Sequence, residues 1–431
     1  MKARLGRLAV LAGVLALAVP ALAQANEVTK WNGLAVSTVN AQPALASSPN
    51  AASIFMAMTQ GAVYGAVNAV DRRGKPYLVN RRFPKASPEA AAATAAFRVL
   101  NTLFPSAVLQ TAYGESLSGI QDGAAKAQGI EVGEMAAAAM LAEGHDTRAV
   151  IPCTFGSGLA RVWEPLPGPG GVLPACDPAK WVADAKPFVA NSASQFRTAG
   201  PYSLDSDAYA ADFEEVYLLG AWNSSSRTVD QTHTAVFWNT NPAVNYNAIA
   251  RRFVDQFSLD LSDSARLFAL LDLSAADALI NAWNDKYHWN FWRPSTAIWK
   301  ANIDGNPATI QDTTWKPLFD PSVTDPAIIG VGPLLGVPPY PDHPSGATTY
   351  ASASMHAFAT FFGTDEMTFY ATSGRFPGEV RVFHRFSDLT NQVLDARIWS
   401  GIHFRNPDVQ AANLGREVAD YVHTHQFAFV H

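Results

Sequence analysis

Lys286-Tyr287-His288-Trp289-Asn290-Phe291-Trp292-Arg293-Pro294 closes a long apolar run whose residues from Ser264 to Asp285 recur at three- and four-residue steps. That period marks an amphipathic helix buried on most of its surface. Seven helical residues make close to two turns, so a helix continuing through this stretch points Lys286 and Arg293 the same way. Basic residues also stabilise a helix C-terminus against its dipole, and that use of them stays open at this point.

Other helices are written in the same style. Ser87-Pro88-Glu89 gives a capping hydroxyl and a first-turn proline, followed by an Ala-rich run to Phe104 and a stop at Pro105. Further periodic segments fall at 51–70, 131–143 and 209–219, whereas strand-like alternation is scarce. These segments predict an all-α bundle with long loops. Two loop-rich stretches interrupt it, one between Ile151 and Pro187 and one between Ala301 and Pro344. The expected organisation is an export signal over 1–25, an N-terminal helical half over 26–250 and a C-terminal bundle over 251–431, the two halves forming one compact unit.

Composition narrows the function. Charged residues make up 16% of the 431 and the formal net charge is −6, with no Lys/Arg-dense run, which sets nucleic acid aside. Against an acidic background, a local gathering of cations needs an anionic partner. Lys2, Arg4 and Arg7, an apolar stretch from Leu8 to Val19 and the small residues Ala21, Ala23 and Ala25 read as a cleavable export signal. Periplasmic or secreted location follows, with no stable membrane insertion after cleavage; a retained anchor is the alternative. In such a compartment Cys153 and Cys176 can close a disulfide, or remain two buried thiols. A homo-oligomer is compatible with everything above.

Two more segments carry chemistry. In Pro341-Asp342-His343-Pro344-Ser345-Gly346-Ala347 a proline-rich loop runs into a helix start, where Ser345 can cap and Gly346 lets the backbone come close. Free first-turn N–H groups there make a seat for an oxyanion. In the second, Asp395 to Asp408, the helix from about Thr390 is expected to end near Gly401, leaving His403 just beyond it and Arg397 within it.

Lys-x6-Arg-Pro, then Pro-Ser-Gly, then Arg-x5-His resembles the vanadium-dependent haloperoxidases and their relatives, the phosphatidic-acid-phosphatase-type acid phosphatases. The resemblance implies an all-α bundle of that type with vanadate as cofactor. It implies that Lys286, Arg293 and Arg397 neutralise the vanadate oxygens, that Ser345 and the Gly346 amide hydrogen-bond to them, and that His403 is the metal ligand. The implied activity is oxidation of halide by hydrogen peroxide to a hypohalous species that halogenates a small organic acceptor. With phosphate in the same pocket, the implied alternative is an acid phosphatase with a phospho-histidine at His403.

This chain departs from the pattern in three places. Ala347 stands where many members carry an acid–base His, which weakens the phosphatase alternative and keeps a catalytically weak oxyanion binder in view. His343 is the expected substitute and His356 the poorer one. Ala396 replaces the usual Ser. Asp408 lies five positions after His403 where four is usual, and it is expected to orient the imidazole from there.

Overall fold

The computed structural model describes residues 26–46, 48–152, 158–166, 177–332 and 334–428. The expected export signal, Cys153 and Cys176 lie outside the described residues.

The helix Leu261–Trp289 is the spine of the fold. Asp260 caps it by accepting from the Asp263 amide at 2.9 Å, and its residues from Ser264 to Trp283 are buried without a break. It packs along Pro49–Asp71 on the N-terminal side and along Gly346–Phe362 and Arg405–Val422 on the C-terminal side. Each Leu or Phe it buries contributes roughly 1.5–3 kcal/mol. Pro49–Asp71 is itself buried from Asn50 to Val70 and is backed by Pro88–Leu103, which in turn packs on Ala124–Ala142. One apolar core therefore runs from Val28 to Phe427 across both sequence halves.

The spine helix has a polar row at four-residue intervals. Asp277 accepts from the amides of Phe188, Val189 and Ala190, Asn281 from the Phe196 amide, and Asp285 from the Thr198 amide. Buried carboxylates are stable when backbone donors satisfy them. Here they pin the loop over 188–198, which carries no regular structure of its own, to the helix that ends at the site.

That helix does not reach Arg293. It stops at Trp289, because Asn290 adopts the left-handed conformation (φ 46°) and sends its amide back to the Lys286 carbonyl. Asn is the residue other than Gly that takes this conformation most readily. Arg293 then sits at the N-cap of a new helix, Pro294–Trp299, with Pro294 in its first turn. The condition for a shared helical face is therefore not met, and the two cations meet through a chain reversal.

A second difference is a β-hairpin. Glu366–Thr372 and Val380–Arg385 pair antiparallel, with Phe369 opposite Phe383 and both rings buried. Strands of seven and six residues give too little alternation to stand out between strong helical segments.

The hairpin leads into the helix Phe386–Trp399, which ends with Gly401 at φ 75°. A Cβ at Gly401 would lie 2.4 Å from the Gly220 carbonyl oxygen and 2.8 Å from Pro317 Cβ. Both the conformation and the space demand glycine. Gly401→Ala is expected to cost roughly 2–5 kcal/mol, from left-handed strain plus overpacking. Urea denaturation measures it, and a midpoint unchanged within error would refute the role given to this position.

Candidate active site

The three quoted segments meet. The Asp342 amide donates to the Phe291 carbonyl at 2.9 Å and the Ser345 amide to the Pro407 carbonyl at 3.1 Å. These two bonds clamp the 340–345 loop between the segment after the spine helix and the start of Arg405–Val422. Everything in the site hangs from that clamp.

Lys286 and Arg293 are wholly buried behind it. The Lys286 ammonium donates to the carbonyls of Pro341, Asp342 and Pro344. Arg293 donates from Nε to the Tyr340 carbonyl at 2.9 Å and from Nη1 to the Ile402 carbonyl at 2.7 Å. Both cations lie over the Tyr340 ring, at 5.0 and 5.1 Å from its centroid. Burial pushes the Lys286 pKa well below its ordinary value, with the neighbouring Arg293 charge adding to the effect.

His403 comes next. Its Nε2 lies 3.2 Å from Arg293 Nη1, and its Nδ1 lies 2.6 Å from Asp342 Oδ1. A guanidinium only donates, so Nε2 is the unprotonated nitrogen, accepting from Arg293, and the ring proton is on Nδ1, which lies against Asp342 without hydrogen-bond alignment. Burial first, then the Arg293, Lys286 and Arg397 charges, hold the imidazole far below its usual pKa. The ring is neutral, and its one lone pair, on Nε2, faces Arg293. Burial drives Asp342 the other way, up to about 8, although Arg293 and Lys286 pull it down.

A cavity of about 210 Å³ opens on this group. His403, Arg397, Gly346 and Ala347 are part of its lining, with Trp283, Tyr340 and Tyr350 among the aromatic walls. A Cβ at Gly346 would stand 2.6 Å from the Trp283 ring, so only glycine admits this approach. Gly346 opens the helix Gly346–Phe362, and no side chain caps its first amides.

Arg397 is the odd member. Its guanidinium is buried, Nε has no hydrogen-bond partner, and no carboxylate among the described residues lies within ion-pair distance. Burial lowers its pKa, partly offset by the more distant Asp408. Cations are rarely buried unpaired, because the desolvation cost has to be recovered from an anion. The donors present fit a small tetrahedral oxyanion: an orphaned guanidinium, uncapped helix amides and a neutral imidazole facing one space.

Other expected roles are corrected by the geometry. His343 does not line the cavity. Its Nε2 is 2.9 Å from Thr198 Oγ1, whose hydroxyl donates to Asp285 Oδ2 at 2.6 Å, and burial pushes its pKa down to about 3. His356 pairs with Asp420 at 2.7 Å beside a separate depression. Neither stands in for the His missing at Ala347. The Ser345 hydroxyl, expected as a helix cap, lies instead 3.4 Å from Thr348 Oγ1.

Asp408 accepts from Thr348 and is held by Ser345, well embedded, with its pKa raised by burial to about 7. The carboxylate at His403 is Asp342. It was visible in the Pro341-to-Ala347 stretch, but nothing in its spacing singles out a partner 61 positions away. Asp342→Asn is expected to weaken oxyanion binding by about 10–100-fold, as loss of an outer partner of a ligating His does. Titration with orthovanadate measures this, and wild-type affinity in the variant would remove Asp342 from the site.

The fold and the cavity together define a class: a helical bundle enclosing an oxyanion pocket with an imidazole on its wall. Residues 266–431 match the family model described as the VCPO second helical-bundle domain. Over 197 residues the chain is 29% identical to the vanadium chloroperoxidase of Curvularia inaequalis, a stretch covering 39% of this chain and 31% of that protein. The chain thus matches about a third of the length of that curated relative. The crystal structure of a bacterial vanadium-dependent iodoperoxidase has the same fold, with TM-score 0.73 at 22% identity over 94% of this chain and 97% of that one. An apo-type bacterial vanadium-dependent chloroperoxidase follows with TM-score 0.66 at 16% identity, over 88% and 94%. The chain is thus similar in sequence to a vanadium chloroperoxidase domain over 266–431, and along nearly its whole length it shares the fold of the bacterial vanadium-dependent peroxidases.

Proposed function

We propose that this protein is a vanadate-dependent peroxidase that uses hydrogen peroxide to oxidise halide to a hypohalous species, which then halogenates an organic acceptor. The observation that carries the proposal is Arg397, a buried guanidinium without an anion, facing a cavity shared with a neutral His403. Bound there, vanadate supplies Lewis-acid activation of peroxide toward halide attack.

The protein's own groups divide the remaining work. Arg397 and the first amides of Gly346–Phe362 hold the oxyanion's negative oxygens, and Lys286 and Arg293 add positive potential from behind the wall. His403 presents Nε2 as the ligand, exchanging its contact with Arg293 for the bound group, while Asp342 lies 2.6 Å from its other nitrogen. Trp283, Tyr340 and Tyr350 reduce the water at the pocket and so strengthen each of these interactions.

The phosphatase alternative uses the same pocket with His403 as nucleophile. It is less favoured because Ala347 lines the cavity where a proton donor to the leaving alkoxide is needed, and neither His343 nor His356 reaches it. Paired assays decide between them. With orthovanadate and peroxide the protein should brominate a dye and should leave an aryl phosphate intact; phosphate release that vanadate inhibits, with no bromination, would reverse the assignment. The proposal includes export, which rests on residues 1–25 and is checked by sequencing the N-terminus of the mature protein.

A further inference from the structure

The cavity is too large and too aromatic for the small reactants alone. Water occupies roughly 30 Å³ and a dry cavity of roughly 150 Å³ takes up benzene, so about 210 Å³ has room for a single ring beside a small oxyanion. Halide and peroxide are small and well hydrated, and gain little from aromatic walls. Trp238, Tyr246, Trp283, Tyr340 and Tyr350 all contribute to the lining, which suits the edge and face of another ring.

One carboxylate also lines this space. Asp177 accepts from the Ala179 amide at 2.9 Å through Oδ1 and from Trp283 Nε1 at 2.8 Å through Oδ2, with the Tyr287 hydroxyl 3.3 Å away. Trp283 therefore bridges two places. Its Nε1 edge meets Asp177, and its opposite edge, Cζ3 and Cη2, meets Gly346. Asp177 and the oxyanion seat are separated by the width of one indole.

We propose that this cavity binds the organic acceptor itself: a single-ring phenol with its hydroxyl donating to Asp177 and its far ring carbon turned toward Gly346, Arg397 and His403. Halogen transfer then takes place inside the protein. The ring carbon attacks the halogen of hypohalous acid and the halogen–oxygen bond breaks. The ring C–H proton joins the released hydroxide, giving halophenol and water. The position para to the hydroxyl is the one farthest from Asp177, so the para product is favoured. This inference rests on the peroxidase proposal for its chemistry but not for its binding step.

Two measurements test it. Isothermal titration of the vanadate-free protein should show saturable binding of phenol and binding of anisole, which has no hydroxyl to donate, at least tenfold weaker. Asp177→Asn should weaken phenol at least tenfold. Leu335→Trp, which fills the cavity from a half-exposed position, should do the same without disturbing the core. With bromide, peroxide and vanadate, the wild-type para-to-ortho ratio of bromophenols should exceed severalfold that given by reagent hypobromite in the same buffer. Equal binding of phenol and anisole, or no saturation, or a ratio equal to the reagent's, would overturn the proposal. Triiodide formation from iodide without any organic acceptor reports the peroxidase separately, so each can fail alone.

Discussion

Arg397→Leu is expected to weaken vanadate binding by two to three orders of magnitude while leaving the folded chain as stable as before or more so. A cation about 4 Å from a unit negative charge is worth on the order of 4 kcal/mol at an effective dielectric near 20, and each 1.4 kcal/mol is tenfold in affinity. The stability half of the expectation has the opposite sign from most buried-arginine substitutions. Arg397 has no ion-pair partner among the described residues and an unsatisfied Nε, so its removal strands no carboxylate and relieves a desolvation cost. Arg293 is the control. It holds the Tyr340 and Ile402 carbonyls and lies 3.6 Å from Asp342, so Arg293→Leu should destabilise the fold by roughly 3–5 kcal/mol. Calorimetric titration with orthovanadate and urea denaturation of both variants give the comparison. If Arg397→Leu binds vanadate like wild type, the guanidinium is structural and the oxyanion assignment fails.

His403→Ala is expected to abolish vanadate-dependent bromination and to reduce vanadate affinity by more than the roughly 10–100-fold that losing an outer partner costs. Among the described residues the imidazole is the only one in the cavity lining, and no cluster of His, Cys, Asp or Glu could hold a metal ion in its place. Its protonation state also makes it irreplaceable. Burial and three nearby cations keep the ring neutral, and Arg293, donating to Nε2, leaves the ring proton on Nδ1 beside Asp342. A vanadium NMR titration alongside the bromination assay separates lost binding from lost turnover. Bromination surviving in the variant would mean that the chemistry lies elsewhere. The substitution leaves Asp342 facing Arg293 and Lys286, which both lower its pKa, so the fold should tolerate it.

Much of the fold is legible in the sequence, and the reason is local. Ser87 does cap Pro88–Leu103 through the Ala90 amide, and the periodic segments at 51–70 and 209–219 do lie within the helices Pro49–Asp71 and Asp207–Gly220. Caps, prolines and three- to four-residue spacing act over a single turn, so the sequence states them directly. The hairpin over 366–385 was not legible, because its stability comes from the Phe369–Phe383 pair and from the helix it joins. The site divides in the same way. Gly401 and the position of His403 just past the helix follow from local signals, as does the small-residue start at Gly346.

By itself, then, the sequence determined the periodic helical segments, several of their caps, and which cations and which imidazole are available to the site. Only the tertiary structure decided their company: Asp342 rather than Asp408 beside His403, His343 turned to Thr198, Asn290 reversing the chain so that Lys286 and Arg293 meet, and Arg397 left without a counter-charge. The reason is physical. Covalent spacing governs contacts within a turn or two, whereas hydrogen-bond and ion partners across tens of residues depend on where loops are clamped, and that is fixed by packing.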